Sequence, residues 1–190
     1  MLETQQTSDP SHKAEAKPPL VVVAKNANAL RLSAVDRKAT WLGLSAGMPL
    51  ANARAMLPAL KVMTANEPAD QKLLERIADW CDRFSPLVAL DPPRGLLLDI
   101  SGASHLHGGE QALLDQIRAL LLKQGFAVRG AIAGTIVSAR ALAHYKDGWV
   151  VPSGDAANAT APLPIEALNL DPITTHALRR AGLRTIGQVA

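Results

Sequence analysis

Three stretches of the chain carry side chains able to do chemistry. The first is 91–99, where Asp91 and Asp99 bracket Pro92-Pro93-Arg94-Gly95. Carboxylate oxygens are what a hard cation such as Mg²⁺ requires. Between these two carboxylates stands Arg94, whose guanidinium stays protonated in proteins. The second is 178–187, where Arg180, Arg184 and Thr185 are interleaved with Gly182 and Gly187. Glycines let a backbone approach a phosphate closely, and its N–H groups can then donate to the phosphate oxygens. The plainer use of the same residues is a helical turn that packs Leu183 and Ile186. The third comprises His105, His107 and the single cysteine, Cys81. The histidines are two apart, with no Cys or carboxylate at ligand spacing, so core or surface use is expected rather than metal. Cys81 falls on an apolar helical face with Leu73, Leu74, Ile77 and Phe84, which predicts a buried thiol.

These groups need elements to hold them. Leu20 to Ala24 is a short β-branched run and 30–35 alternates, so both read as strands. Asp36 is placed to cap a short helix ending at Gly43, and Pro49 suits the first turn of the next. A strand at 60–64 leads to Asn66, which caps a helix carrying Cys81, Trp80 and Phe84 on its apolar face. The runs 87–91 and 96–100 flank the proline-bearing loop as a β-hairpin. Helices are expected at 110–124 and 138–145, with a buried strand at 128–133 between them. Residues 148–164 are rich in Pro, Gly, Asn, Ala and Ser and read as a linker. Asp171-Pro172 then opens a last helix. Trp41, Trp80 and Phe84 are expected to fill core. A hairpin among alternating strands and helices excludes a purely parallel sheet and predicts an α+β fold with helices on one sheet face.

Composition narrows the classes. The 190 residues are 48% hydrophobic and 19% charged, enough for a core and too little charge for a disordered chain. A net charge of +3 permits nucleic-acid contact without arguing for it. One cysteine cannot form a disulfide within the chain, no apolar run approaches a membrane span, and residues 1–19 lack the apolar core of a signal peptide. The cytoplasm is the expected compartment. Aromatics at 3% argue against a module that stacks RNA bases on its strands.

Taken in order, several segments resemble the palm and fingers of Y-family DNA polymerases. They are Gly43-Leu44-Ser45-Ala46-Gly47-Met48-Pro49-Leu50, Phe84-Ser85-Pro86-Leu87-Val88, Leu97-Leu98-Asp99-Ile100-Ser101-Gly102, His105-Leu106-His107-Gly108-Gly109 and Ala131-Ile132-Ala133. Within that family the wording of Asn28-Ala29-Leu30-Arg31-Leu32-Ser33-Ala34-Val35, of Asp79-Trp80-Cys81 and of Leu168-Asn169-Leu170-Asp171-Pro172 is similar to the ImuB group. The resemblance implies a ferredoxin-like palm with a small helical fingers insertion over 19–150. It implies a linker and a truncated helix-hairpin-helix (thumb) over 151–190, and leaves 1–18 as a disordered N-terminal segment. Arg180, Gly182, Arg184, Thr185 and Gly187 would be the DNA-binding residues of that half-hairpin.

The resemblance also shows what this chain does not carry. The family's hairpin supplies an Asp-Glu pair for two Mg²⁺ ions. Counting back from Asp99, or forward from Ser85-Pro86, places that pair at Arg94 and Gly95. Asp91 precedes two prolines and falls out of register for rescuing the site. The strand bearing the family's first carboxylate is not found after Met1, so it is either lost or lies upstream of this sequence. The family's Tyr-x-x-Arg for the triphosphate falls at Arg37 and Thr40, and its Asn and Lys at Thr135 and Ile136. Arg37 and Lys38 are expected on a solvated helix face.

The expectation is therefore a pseudo-polymerase without catalytic residues, metal or cofactor. It would serve as an accessory in error-prone translesion synthesis and the SOS response. DNA would be its partner here. A sliding clamp and a replicative polymerase would be reached through regions absent from the sequence, and no membrane is involved. An active translesion polymerase with displaced ligands, and a fragment without independent activity, are the competing expectations.

Overall fold

A computed structural model describes residues 17–26 and 28–189. Most of the expected N-terminal disorder, 1–16, lies outside these residues. The chain divides into two compact units, 1–70 and 71–190.

In the first unit, β1 (Leu20–Asn26) pairs antiparallel with β2 (Ala29–Val35) and parallel with β3 (Lys61–Thr64), in the order β2-β1-β3. Alternation in β1 buries Val21 and Val23, which join Leu32, Ala39, Leu44, Leu50 and Ala53 in one core. Asp36 fastens the sheet to α1 (Arg37–Trp41). Its Oδ1 accepts from the Ala39 amide at 2.6 Å and its Oδ2 from the Leu20 amide at 2.9 Å. Helix α2 (Leu50–Met56) follows Pro49. Trp41 departs from the core expectation and is 85% exposed. On the short α1 the inward position belongs to Ala39, two residues earlier and so on the opposite side.

In the second unit, α3 (Glu67–Cys81, beginning at the end of the first unit) and α4 (Glu110–Lys123) share a core with the hairpin of β4 (Val88–Asp91) and β5 (Gly95–Leu98). Cys81, Phe84 and Leu113 are buried there, with Val88, Leu96 and Leu98 packed against them. A second core joins Ala141 and Leu142 of α5 (Ile136–Tyr145) to Val151, Leu163 and Ala167 further along the chain.

Two expectations are corrected here. Residues 128–133 do not form a strand. They make one isolated bridge, Ile132 to Val150, in which the Ile132 amide donates to the Trp149 carbonyl and the Val151 amide to the Ile132 carbonyl, both at 2.9 Å; Gly134, where the next pair of bonds would form, weakens a strand. Residues 148–164 do not behave as a linker. They include α6 (Ala156–Thr160), and Val151, Thr160 and Leu163 are buried. Small residues here permit close packing. The last helix, α7 (Pro172–Arg180), starts at Asp171, whose side chain accepts from the Ile173 and Thr174 amides. Among the described residues no helix is long and apolar enough to cross a membrane.

Candidate functional site

The hairpin tip is built from below. Buried Ser85 accepts from the Leu87 amide at 3.1 Å and donates to the Asp99 carbonyl, joining both hairpin strands at their open end. Beyond β5, Asp99 Oδ1 accepts from the Ser101 amide at 2.9 Å, and its bonds with Ser101 hold its carboxyl below the usual range. Asp99 thus spends its side chain on the local turn.

At the other end Asp91 pairs directly across from Gly95. A Cβ at Gly95 would stand 2.9 Å from the Asp91 carbonyl oxygen and 3.1 Å from Oδ2. Glycine is favoured here because a Cβ would run into the Asp91 backbone oxygen, which cannot move aside as a side-chain end could. That carboxylate is clasped at both oxygens by one guanidinium: Arg140 donates from Nε to Oδ2 at 2.8 Å and from Nη2 to Oδ1 at 2.6 Å. The geometry is the bidentate fork that makes such pairs strong. The bonds to Asp91 push the Arg140 pKa above its ordinary value, against the opposing effect of burial. Arg140 sits on α5 beside the buried Ala141 and Leu142, so that helix's packing fixes where its side chain starts. Arg94 is exposed in the turn and makes no hydrogen bond or ion pair with the described residues. Among the described residues, no three His, Cys, Asp or Glu side chains gather.

The region 178–188 is equally specific. Gly182 adopts a left-handed φ of 86° after α7, and its amide donates to the Arg179 carbonyl at 3.1 Å. Thr185 and Gln188 form a reciprocal cap, and Gln188 Oε1 accepts from the Arg184 amide at 2.7 Å and the Thr185 amide at 3.1 Å. The Ile186 amide donates to Leu163 and the Gly187 amide to Ala161, both at 2.9 Å. Each backbone N–H from Gly182 to Gln188 therefore has a partner inside the protein. A Cβ at Gly187 would meet the Ala161 Cβ at 3.0 Å, so packing accounts for that glycine. Arg180 and Arg184 are left exposed, while Arg179 pairs with Glu166 at 3.0 Å.

Residues 4–144 match the impB/mucB/samB family. The chain belongs to that family. ImuB of Caulobacter vibrioides is 42% identical over 149 residues, 78% of this chain and 32% of that protein. DNA polymerase IV of Dehalococcoides mccartyi is 26% identical over 180 residues, 90% of this chain and 45% of that protein. The chain thus spans less than half the length of these relatives. Among solved structures, DinB from Sulfolobus solfataricus aligns with a TM-score of 0.67 at 18% identity, over 89% of this chain and 51% of that one. An insertion ternary complex of Dbh DNA polymerase aligns at 0.71 and 18%, over 93% and 53%. The mixed α+β architecture is therefore that of Y-family polymerases.

In this impB/mucB/samB member, Arg37, Thr40, Thr135 and Ile136 stand where the resemblance places the family's triphosphate residues, and Arg37 is exposed. Thr135 caps α5, accepting from the Ser138 amide at 3.2 Å, and Ile136 is 57% exposed. Thr40 donates to the Asp36 carbonyl at 2.9 Å, and Lys38 to the Lys17 carbonyl at 2.8 Å. Cys81 is buried, which raises its thiol pKa; Asp82 adds to the rise and Arg83 opposes it. His107 Nδ1 lies 3.0 Å from Gln116 Oε1, and its ring packs near Phe84. Sequence reasoning missed Arg140. The available signal was a charged residue one position before the buried Ala141-Leu142 pair on a short helix.

Proposed function

We propose that this chain is the palm-and-fingers part of a Y-family relative acting in DNA-damage tolerance, and that it keeps the scaffold without catalysing nucleotidyl transfer. The observation that carries this reading is the Arg140 clasp on Asp91. Two-metal catalysis holds its ions about 3.5–4 Å apart between carboxylates. Here the family's paired carboxylate positions are Arg94 and Gly95, and the one carboxylate beside Gly95 has both oxygens engaged by a cation. A donor set of that kind does not fit Mg²⁺: binding the ion would first require releasing a bidentate ion pair, with Arg94 still at the tip.

The residues at hand are suited to holding DNA rather than reacting with it. Arg180 and Arg184 are exposed cations that contact phosphates through side chains, with Gly182, Thr185 and Gly187 shaping the turn that presents them. Contacts to a sliding clamp and a partner polymerase belong to other parts of the full protein. Work of this kind takes place in the cytoplasm.

A Mg²⁺-dependent primer-extension assay tests the reading. No template-directed incorporation is expected from the chain or from its full-length protein. Incorporation that disappears with Asp91→Asn would establish a displaced-ligand polymerase instead.

A further inference from the structure

The charge of the chain is unevenly divided. The described residues of the first unit hold seven Lys and Arg (Lys17, Lys25, Arg31, Arg37, Lys38, Arg54, Lys61) against Asp36, Glu67 and Asp70. Residues 71–190 are nearly balanced, with twelve Lys and Arg and eleven Asp and Glu. All ion pairs among the described residues fall between Asp91 and Arg179, so the cations of the first unit have no carboxylate partner there. From β2 to α2 the only acid is Asp36, and both of its oxygens are turned to backbone amides.

In the middle of this stretch Trp41 stands 85% exposed, beyond any other large apolar side chain described. Arg37 and Lys38 lie four and three residues before it on α1, the spacing that puts side chains on one helix surface. An exposed indole costs solvation unless something covers it. Its neighbours are cationic, which disfavours a basic or purely apolar protein partner.

We propose that Trp41 is a stacking platform for a base of single-stranded DNA, with Arg37 and Lys38 holding the flanking phosphates. A flat aromatic face beside cations that have no carboxylate partner among the described residues is the chemistry that binds single strands without sequence preference. The site lies in the first unit, whereas Arg180 and Arg184 belong to the second. It rests on the DNA-binding reading above and adds a second, strand-selective contact to it.

The test uses the whole chain with fluorescein-labelled oligo-dT and a primer-template duplex, monitored by anisotropy at low salt. Trp41→Ala is expected to weaken oligo-dT binding about tenfold or more, the scale of one lost base–aromatic stack. Trp41→Phe should recover most of it, and Trp149→Phe should change nothing. Because Trp41 packs against little, folding of the variants is confirmed by circular dichroism. Unchanged oligo-dT affinity in Trp41→Ala overturns the inference while leaving duplex binding, and the function reading, standing. So does concentration-dependent self-association that Trp41→Ala abolishes with oligo-dT affinity unaltered. If the parent binds neither DNA, both the inference and the DNA-binding reading fall.

Discussion

Cutting the Arg140–Asp91 clasp should cost stability by an amount the geometry bounds. Its side chains are 27% and 23% exposed, so the pair is neither a surface contact nor fully dry. Exposed ion pairs contribute about 0.2–1 kcal/mol. Removing one partner from a fully buried pair costs about 3–5 kcal/mol, because the other charge is left stranded. A bidentate pair about a quarter exposed falls between these, so Asp91→Ala and Arg140→Ala should each cost about 1.5–3 kcal/mol. The two changes remove one shared interaction, so the double variant should lose less than the sum. A double-mutant cycle by urea denaturation should give a coupling of about 1–2 kcal/mol. Partial burial limits screening, so most of it should survive moderate salt. A coupling within the roughly 0.5 kcal/mol seen for independent sites would show that the guanidinium does not hold the carboxylate.

Gly95→Ala should destabilise by about 1–3 kcal/mol, as overpacking does, since its methyl group would meet the Asp91 backbone oxygen; the urea midpoint reads this. Gln188→Ala removes the acceptor for two amides and should cost about 1 kcal/mol, with faster hydrogen exchange at Arg184 and Thr185. Asp171 has its pKa lowered by hydrogen bonds, above all from Thr174. Its cap therefore adds stability that is fully present above the unfolded value of about 3.9 and is lost as pH falls through the lower folded value. Acid titration monitored by helical circular dichroism should show that loss, and Asp171→Ala should remove the pH dependence along with the cap.

Local chemistry made much of the fold readable. Asp36, Asn66, Thr135 and Asp171 accept from amides two or three residues ahead, an interaction written entirely within a short window. The hairpin arises from two apolar runs about a proline turn. The site was less readable because its decisive contact spans 49 residues, from Asp91 to Arg140, and nothing near either residue announces the other. The same applies to the amides of Ile186 and Gly187, whose acceptors Leu163 and Ala161 lie in a stretch that composition marks as linker. Trp41 departs from expectation because aromatic character suggests burial, whereas a five-residue helix has room to bury only Ala39.

If Asp91 is committed to Arg140, its carboxylate is unavailable to a metal. Mn²⁺ titration read by water-proton relaxation, on the chain and on Arg140→Ala, puts this to the test. The parent should show no Mn²⁺ site tighter than the weak background of surface carboxylates. A tight parent site that Asp91→Asn abolishes would contradict it.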